Sequence, residues 1–263
     1  IGSALTSKLQ QEQQTGADGA DAVLTSEISW VTEAAKGGLF KAPSGPSAKA
    51  WPANYLIAKT SPILSVQPFP IVYNTNLVKT PVTGYQDLLK PEFKGKLGNT
   101  ELAGSVSVIA WYDWLDKTQG DEFLSKLAAQ GRFLYVGSTP ITQAVSSGEV
   151  AVASFSALAS VLPLVERGAP IKAVVPSPSF GNYYASGVPI WSKRPNAALI
   201  LTDFLMSVRG QTILCGKGEM ACPLPGVPGS LDIKSIVLLD PGKYTPDAIK
   251  AFEAKWNRIF KTR

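Results

Sequence analysis

The residues of this chain able to do chemistry are hydroxyls, carboxylates and two thiols. Histidine is absent from all 263 positions. That absence removes Ser-His-Asp and Cys-His nucleophile systems, most zinc sites and the commonest general base. The acid candidates, Glu27 and Glu101, have no second carboxylate that the sequence places beside them. Cys215 and Cys222 fall on a loop that also holds Gly216, Gly218 and Pro223. A disulfide is expected there, with two reduced thiols as the alternative. What is left is serine and threonine at turns. Gly104-Ser105, Gly137-Ser138-Thr139 and Ser156 each follow a strand-like run and precede a helical one. Helix starts at such turns offer free N–H groups and partial positive charge, which suits an anion. The plain alternative at each is an ordinary cap or turn, and Pro140 sits well in a first helical turn.

Elements must hold these turns in place. Near the start, Leu5 and Leu9 lie four apart on a helix, a short strand covers 22–24, and a helix over 28–36 stops at Gly37-Gly38. Phe69 and the apolar residues 71–73 read as a buried strand, broken by Asn74 and Asn76. A short helix over 85–90 stops at Pro91. From Leu97 onward strands and helices alternate. Strands cover 97–99, 133–136, 150–155 and 171–175, with helices ending at Leu115, Gln130, Ser147 and Arg167 between and after them. Repeated strand–turn–helix units predict an α/β fold with a parallel sheet covered by helices, and open α/β sheets place ligands at the carboxyl ends of their strands. A helix over 197–208 is expected to continue through 209–215, and an amphipathic helix over 246–260 turns Phe252, Trp256 and Ile259 inward.

Composition narrows the function classes. Hydrophobic residues make up 45% and charged ones 17%, ample for a core. No apolar run approaches the ~18 residues of a membrane span. The net charge of +5 is not gathered into a basic stripe with interleaved aromatics, so nucleic acid is not indicated. A mild positive field favours an anionic small ligand or an anionic membrane surface.

The stretch FPIVYNTNLVKTPVTG at 69–84, followed by YQDLLKPEFKGKL, resembles the extracytoplasmic solute-binding proteins of ABC importers. The subgroup is the one holding ferric-iron, thiamine, phosphonate and sugar-phosphate receptors. Asp21-Ala22-Val23-Leu24 with Gly38-Leu39, the segment 138–155, and NAALILTDFLMSVRGQ at 196–211 match the same family in the same order. The resemblance covers nearly all of the chain.

It implies a two-lobed periplasmic-binding-protein-like type II fold, each lobe a mainly parallel sheet flanked by helices, with two crossover segments at a hinge. Residues 1–68 and 180–230 would form lobe 1, residues 69–179 lobe 2, and 231–263 a helical segment packing on lobe 2. The family carries a strand–helix–strand unit ahead of the first helix that this sequence does not show. The ligand-binding residues implied are Thr25, Ser26, Ser105, Ser138, Thr139 and Ser156, with Tyr183 and Tyr184 either lining the cleft or in the core. The paired tyrosines of ferric members correspond to Leu158 and Ala159, and their carboxylate to Ser26. No metal and no cofactor are therefore expected, and a ferric receptor is the alternative. The function implied is capture of a small solute, an anion favoured, and its delivery to ABC permease subunits, without catalysis. The protein would be a monomer, periplasmic or extracellular, anchored in some forms through a removed amino-terminal signal. An enzyme or a regulator's effector domain on the same bilobal fold is the rival of another class.

Overall fold

The computed structural model of the protein describes residues 2–261. Its backbone separates into two units. One is the chain through Gln67 together with Asn182–Ile233; the other is Pro68–Gly181 together with the chain from Lys234. In order, the chain forms α1 (Gly2–Thr15), β1 (Val23–Thr25), α2 (Ile28–Lys36), β2 (Phe40–Lys41), α3 (Pro46–Ala50), β3 (Leu56–Ile57), β4 (Ser61–Pro68) and β5 (Ile71–Asn74). Next come β6 (Leu97–Thr100), α4 (Val106–Thr118), α5 (Phe123–Gln130), β7 (Gly131–Tyr135), α6 (Ser138–Ser147), β8 (Val152–Ala153), α7 (Leu158–Glu166) and β9 (Ile171–Val174). The last elements are β10 (Ser179–Pro189), α8 (Pro195–Met206), α9 (Val208–Cys215), β11 (Ile236–Leu238) and α10 (Pro246–Phe260).

In the second unit the sheet runs β7–β6–β8–β5–β9. β6 is parallel to both β7 and β8, while β5 is antiparallel to both β8 and β9. The strands linked through helices, β6 to β9, therefore all point one way, as alternating βα units require. The sheet is thus mainly parallel, as expected, with β5 alone running against the others. β5 enters directly from β4 instead of through a helical crossover, and it wedges between β8 and β9 with the opposite direction. Helices cover the sheet because their apolar faces match it. Val72, Ile141, Val145, Val150, Val161 and Ile171 form one buried cluster. α10 packs on α4 and α5. There Trp256 is buried, and its ring lies 5.8 Å from that of Tyr112.

In the first unit the order is β1–β10–β4–β3, with β2 also on β10. β1 and β2 run antiparallel to β10, and β3 antiparallel to β4. The expected mainly parallel sheet is not what forms here. β3 and β4 are joined by a tight turn in which Ala58 (φ 46°) and Lys59 (φ 63°) are left-handed, and so short a link permits only an antiparallel pair. Trp51, Leu64 and Met206 make one core cluster. Cys215 and Cys222 are joined by a disulfide that is itself buried, with Val227 against it. The bridged loop sets Ala221 against β4, where Val66 and Ala221 exchange two backbone hydrogen bonds of 2.8 Å.

α8 and α9 are not one continuous helix. They are bent by 71° at Ser207. The Ser207 hydroxyl donates to the Phe204 carbonyl of the first helix at 2.6 Å and accepts from the Gly210 N–H at 3.1 Å, capping the second. Gly210 is needed for the elbow, because a Cβ there would fall on the Phe204 carbonyl oxygen. Among the described residues no single helix is long and apolar enough to cross a membrane.

Candidate functional site

The second unit gathers helix starts at one end of its sheet. β6, β7 and β8 are parallel neighbours, and α4, α6 and α7 begin just beyond their carboxyl ends. The chain reaches α4 through Ala103 (φ 46°) and Gly104 (φ 69°), and Ser105 stands at the N-cap without a side-chain cap bond. Its half-buried hydroxyl is thus not committed to the helix. At α6 the N-cap is Gly137 (φ 87°), a conformation open to glycine. Ser138 and Thr139 occupy the first turn itself, so the capping role considered for them does not apply. Thr139 is exposed and Ser138 half-buried. Pro140 has no N–H, so the unmet donors of this turn are those of Ser138 and Thr139. The Ser138 hydroxyl lies 3.1 Å from that of Ser160, in the first turn of α7. The two helix starts are thereby tied together.

Ser156 has a different place. It is fully buried, and its hydroxyl is 2.6 Å from that of Thr142. Thr142 donates its one proton to the Ser138 carbonyl at 2.6 Å, so Ser156 must be the donor to Thr142. The Ser156 hydroxyl is expected from the sequence to meet a ligand; here burial and this bond direct it inward, as a brace under the α6 start. Thr142 sits on the buried face of α6. Its only sequence signal is a hydroxyl in an otherwise apolar helical register.

The first unit carries the other expected residues. Thr25 is buried, and its Oγ1 accepts from the Glu27 N–H at 3.2 Å, which fixes the turn from β1 into α2. That role too is support rather than display. Ser26 is half-buried. β1 pairs with β10 as far as Thr25 opposite Ala185, and Ser26 follows in the bend beyond the strand. Tyr183 and Tyr184 are neighbours in β10 and so lie on opposite faces of it. Tyr183 is buried in the core, while Tyr184 is half-buried. They are not a pair lining one surface. The Tyr184 phenol donates to Gln67 Oε1 at 3.2 Å, and burial pushes its pKa up, so it is neutral. Gln67 is a residue that turn-by-turn reading passes over; its signal is an amide in the apolar run of β4.

The carboxylates do not pair with one another. Glu101 faces the Lys261 ammonium at 3.9 Å, and Glu27 is exposed with no ion pair among the described residues. Tyr135, at the end of β7, donates to Glu149 at 2.9 Å; burial and then that carboxylate raise its pKa. Among the described residues no three His, Cys, Asp or Glu side chains are grouped closely enough to hold a metal ion.

The arrangement is one that can hold a polar group with neutral donors. A family model of bacterial extracellular solute-binding proteins matches residues 2–218. The putative 2-aminoethylphosphonate-binding periplasmic protein of Salmonella typhimurium is 28% identical over 152 residues, covering 54% of this chain and 45% of that protein. The match thus spans under half of the curated relative's length. Among solved structures, the substrate-binding protein of an ABC transporter from Agrobacterium tumefaciens superposes with a TM-score of 0.82 at 16% identity, covering 100% of this chain and 85% of the other. AfuA, the periplasmic binding protein of Actinobacillus pleuropneumoniae solved with fructose-6-phosphate, gives 0.69 at 17% identity, with 99% and 88% covered. At such identities these two structures speak for the fold, and the family match over most of the chain speaks for descent: the protein belongs to the bacterial extracellular solute-binding proteins.

Proposed function

We propose that the protein is the receptor of an ABC importer for a small solute bearing an oxyanion, phosphonate or phosphate ester, which it passes to membrane permease subunits. The observation that carries the anion preference is the first turn of α6. There the Ser138 and Thr139 N–H groups, with the exposed Thr139 hydroxyl, form a donor set at a helix N-terminus. The α4 start with Ser105 lies at the same sheet end and adds donors of the same kind. The Salmonella relative is named for 2-aminoethylphosphonate, and AfuA, of similar fold, was solved with fructose-6-phosphate; both compounds bear such a group, which supports the reading. The protein binds rather than transforms its solute, works as a monomer, and resides in the periplasm or at the cell exterior.

The test is a thermal-shift and calorimetric screen of refolded, ligand-free protein against phosphonates, sugar phosphates, carboxylates, polyamines and ferric citrate. A ligand at ~100 times its Kd adds about 2.7 kcal/mol, roughly 5–10 °C for a chain of this size. A shift with a phosphonate or phosphate ester that weakens in Thr139→Ala is expected. A shift confined to ferric citrate or polyamines would overturn the anion assignment.

A further inference from the structure

Glu101 stands between the two helix starts that offer donors. It follows β6 directly, and Ser105, the N-cap of α4, comes four residues later. Its own N–H donates to the Tyr135 carbonyl at 2.9 Å. Tyr135 ends β7, and the first turn of α6 opens at Ser138, three residues on. Three residues of backbone span at most about 10 Å, close to one screening length at physiological salt. A bare carboxylate there opposes an anion at either start. The chain does not readily carry it away. Leu102 is buried, Ala103 and Gly104 are left-handed, and the Ser105 N–H closes the turn on the Leu102 carbonyl at 2.8 Å.

Lys261 meets this carboxylate from a distant part of the sequence in the same unit. α10 packs on α4 and α5, and Lys261 stands at its carboxyl end, its N–H on the Asn257 carbonyl at 2.9 Å. Its ammonium lies 5.7 Å from the centre of the Trp256 ring, which is buried and stacked on Phe260. The same ammonium is 3.9 Å from Glu101 Oε2. The two side chains are 32% and 51% exposed, so their pairing adds little to stability. Its consequence is for the field at this end of the sheet.

We propose that Lys261 is a specificity-determining residue: by pairing with Glu101 it cancels a negative charge that would otherwise repel an oxyanion from the α4 and α6 starts. This rests on the reading of the protein as an oxyanion receptor. It explains how a site built from neutral donors tolerates a carboxylate at its edge. Lys261 does so without touching the solute.

The experiment measures ethylphosphonate and glycerol 3-phosphate binding by calorimetry on the full chain, at ~20 mM and ~500 mM salt. It uses the parent, Lys261→Met, Glu101→Gln and the double variant. Both positions are partly exposed, so all four proteins are expected to fold. Lys261→Met should weaken both probes by about three- to tenfold at low salt and by less at high salt. Glu101→Gln should bind more tightly than the parent, because it leaves the ammonium unopposed. The double variant should return to within about twofold of the parent, since removing both charges restores the balance. A purely structural role for the pair would instead weaken all three variants alike, with no dependence on salt. Unchanged affinity in Lys261→Met, or a double variant as weak as Lys261→Met, overturns this inference and leaves the oxyanion reading standing. Failure of the parent to bind either probe overturns both.

Discussion

The hydroxyls of Thr142 and Ser156 meet at 2.6 Å inside the second unit, and through Thr142 this contact reaches the Ser138 carbonyl at the start of α6. A side chain four residues into the helix thus sets the height of its first turn. Thr142→Val keeps the shape and removes the bridge, leaving the Ser156 hydroxyl buried without an acceptor. The variant is expected to lose about 1–3 kcal/mol in urea melts and to bind oxyanion probes more weakly. Unchanged stability and affinity would show that the bridge does not position the helix start.

Gly210→Ala tests the elbow between α8 and α9. The new methyl would collide with the Phe204 carbonyl, which is backbone and cannot swing aside. A loss of about 2–3 kcal/mol is expected, or roughly 5–10 °C in Tm. A change under ~0.5 kcal/mol would mean the elbow opens freely.

Asp87 gives the stability a pH dependence. Burial alone would raise its pKa, but hydrogen bonds from Lys90, from the N–H and hydroxyl of Thr83 and from the Gly84 N–H hold it below the ordinary carboxylate range. A folded-state value below the unfolded one stabilises the fold above the unfolded value of ~3.9, and that contribution is lost as pH falls through the folded value. Asp87→Asn should therefore be less stable than the parent at neutral pH by about 1 kcal/mol, allowing for solvent screening. The gap should close progressively below pH ~4. A gap that stays constant across that range in urea melts would contradict the assignment.

The disulfide closes a short loop, for which chain entropy predicts about 2.5 kcal/mol. Cys215→Ala with Cys222→Ala is expected to lose about that much, and thiol titration of unfolded, unreduced protein should find no free thiol. Hydrogen exchange at Val66 and Ala221 should rise in the double variant, because the bridged loop holds that pairing.

Much of the fold is legible in the residues because its signals are local. The strand–turn–helix rhythm from Leu97 onward and the inward face of α10 are written in apolar spacing. The direction of β5 is not, since nothing in IVYN distinguishes a strand that joins its neighbours in parallel from one that runs against them. The break at Ser207 is equally hidden: the residues around it favour helix, and the bend follows from a cap and a close approach that exist only once α9 has folded back. At the candidate site the residue types and their turns could be read, but not their roles. Ser156 and Ser138 look alike in the chain. One is buried with its hydroxyl against Thr142, and the other is half-buried with its hydroxyl against Ser160, contacts between residues that spacing in the chain does not reveal. Tyr183 and Tyr184 look like a pair, yet strand alternation sends them to opposite faces.

α10 rests on α4 and α5, and Tyr244 donates to Asp113 at 3.0 Å while Lys255 pairs with Asp116. The second unit therefore closes its core with residues synthesised more than a hundred positions after the helices they cover. The first unit likewise waits for α8 and α9. A chain growing from the ribosome holds neither core complete until most of it has emerged, so translation cannot fold it piece by piece. Until those late segments arrive, both cores stay open, the condition in which a polypeptide can still be threaded across a membrane.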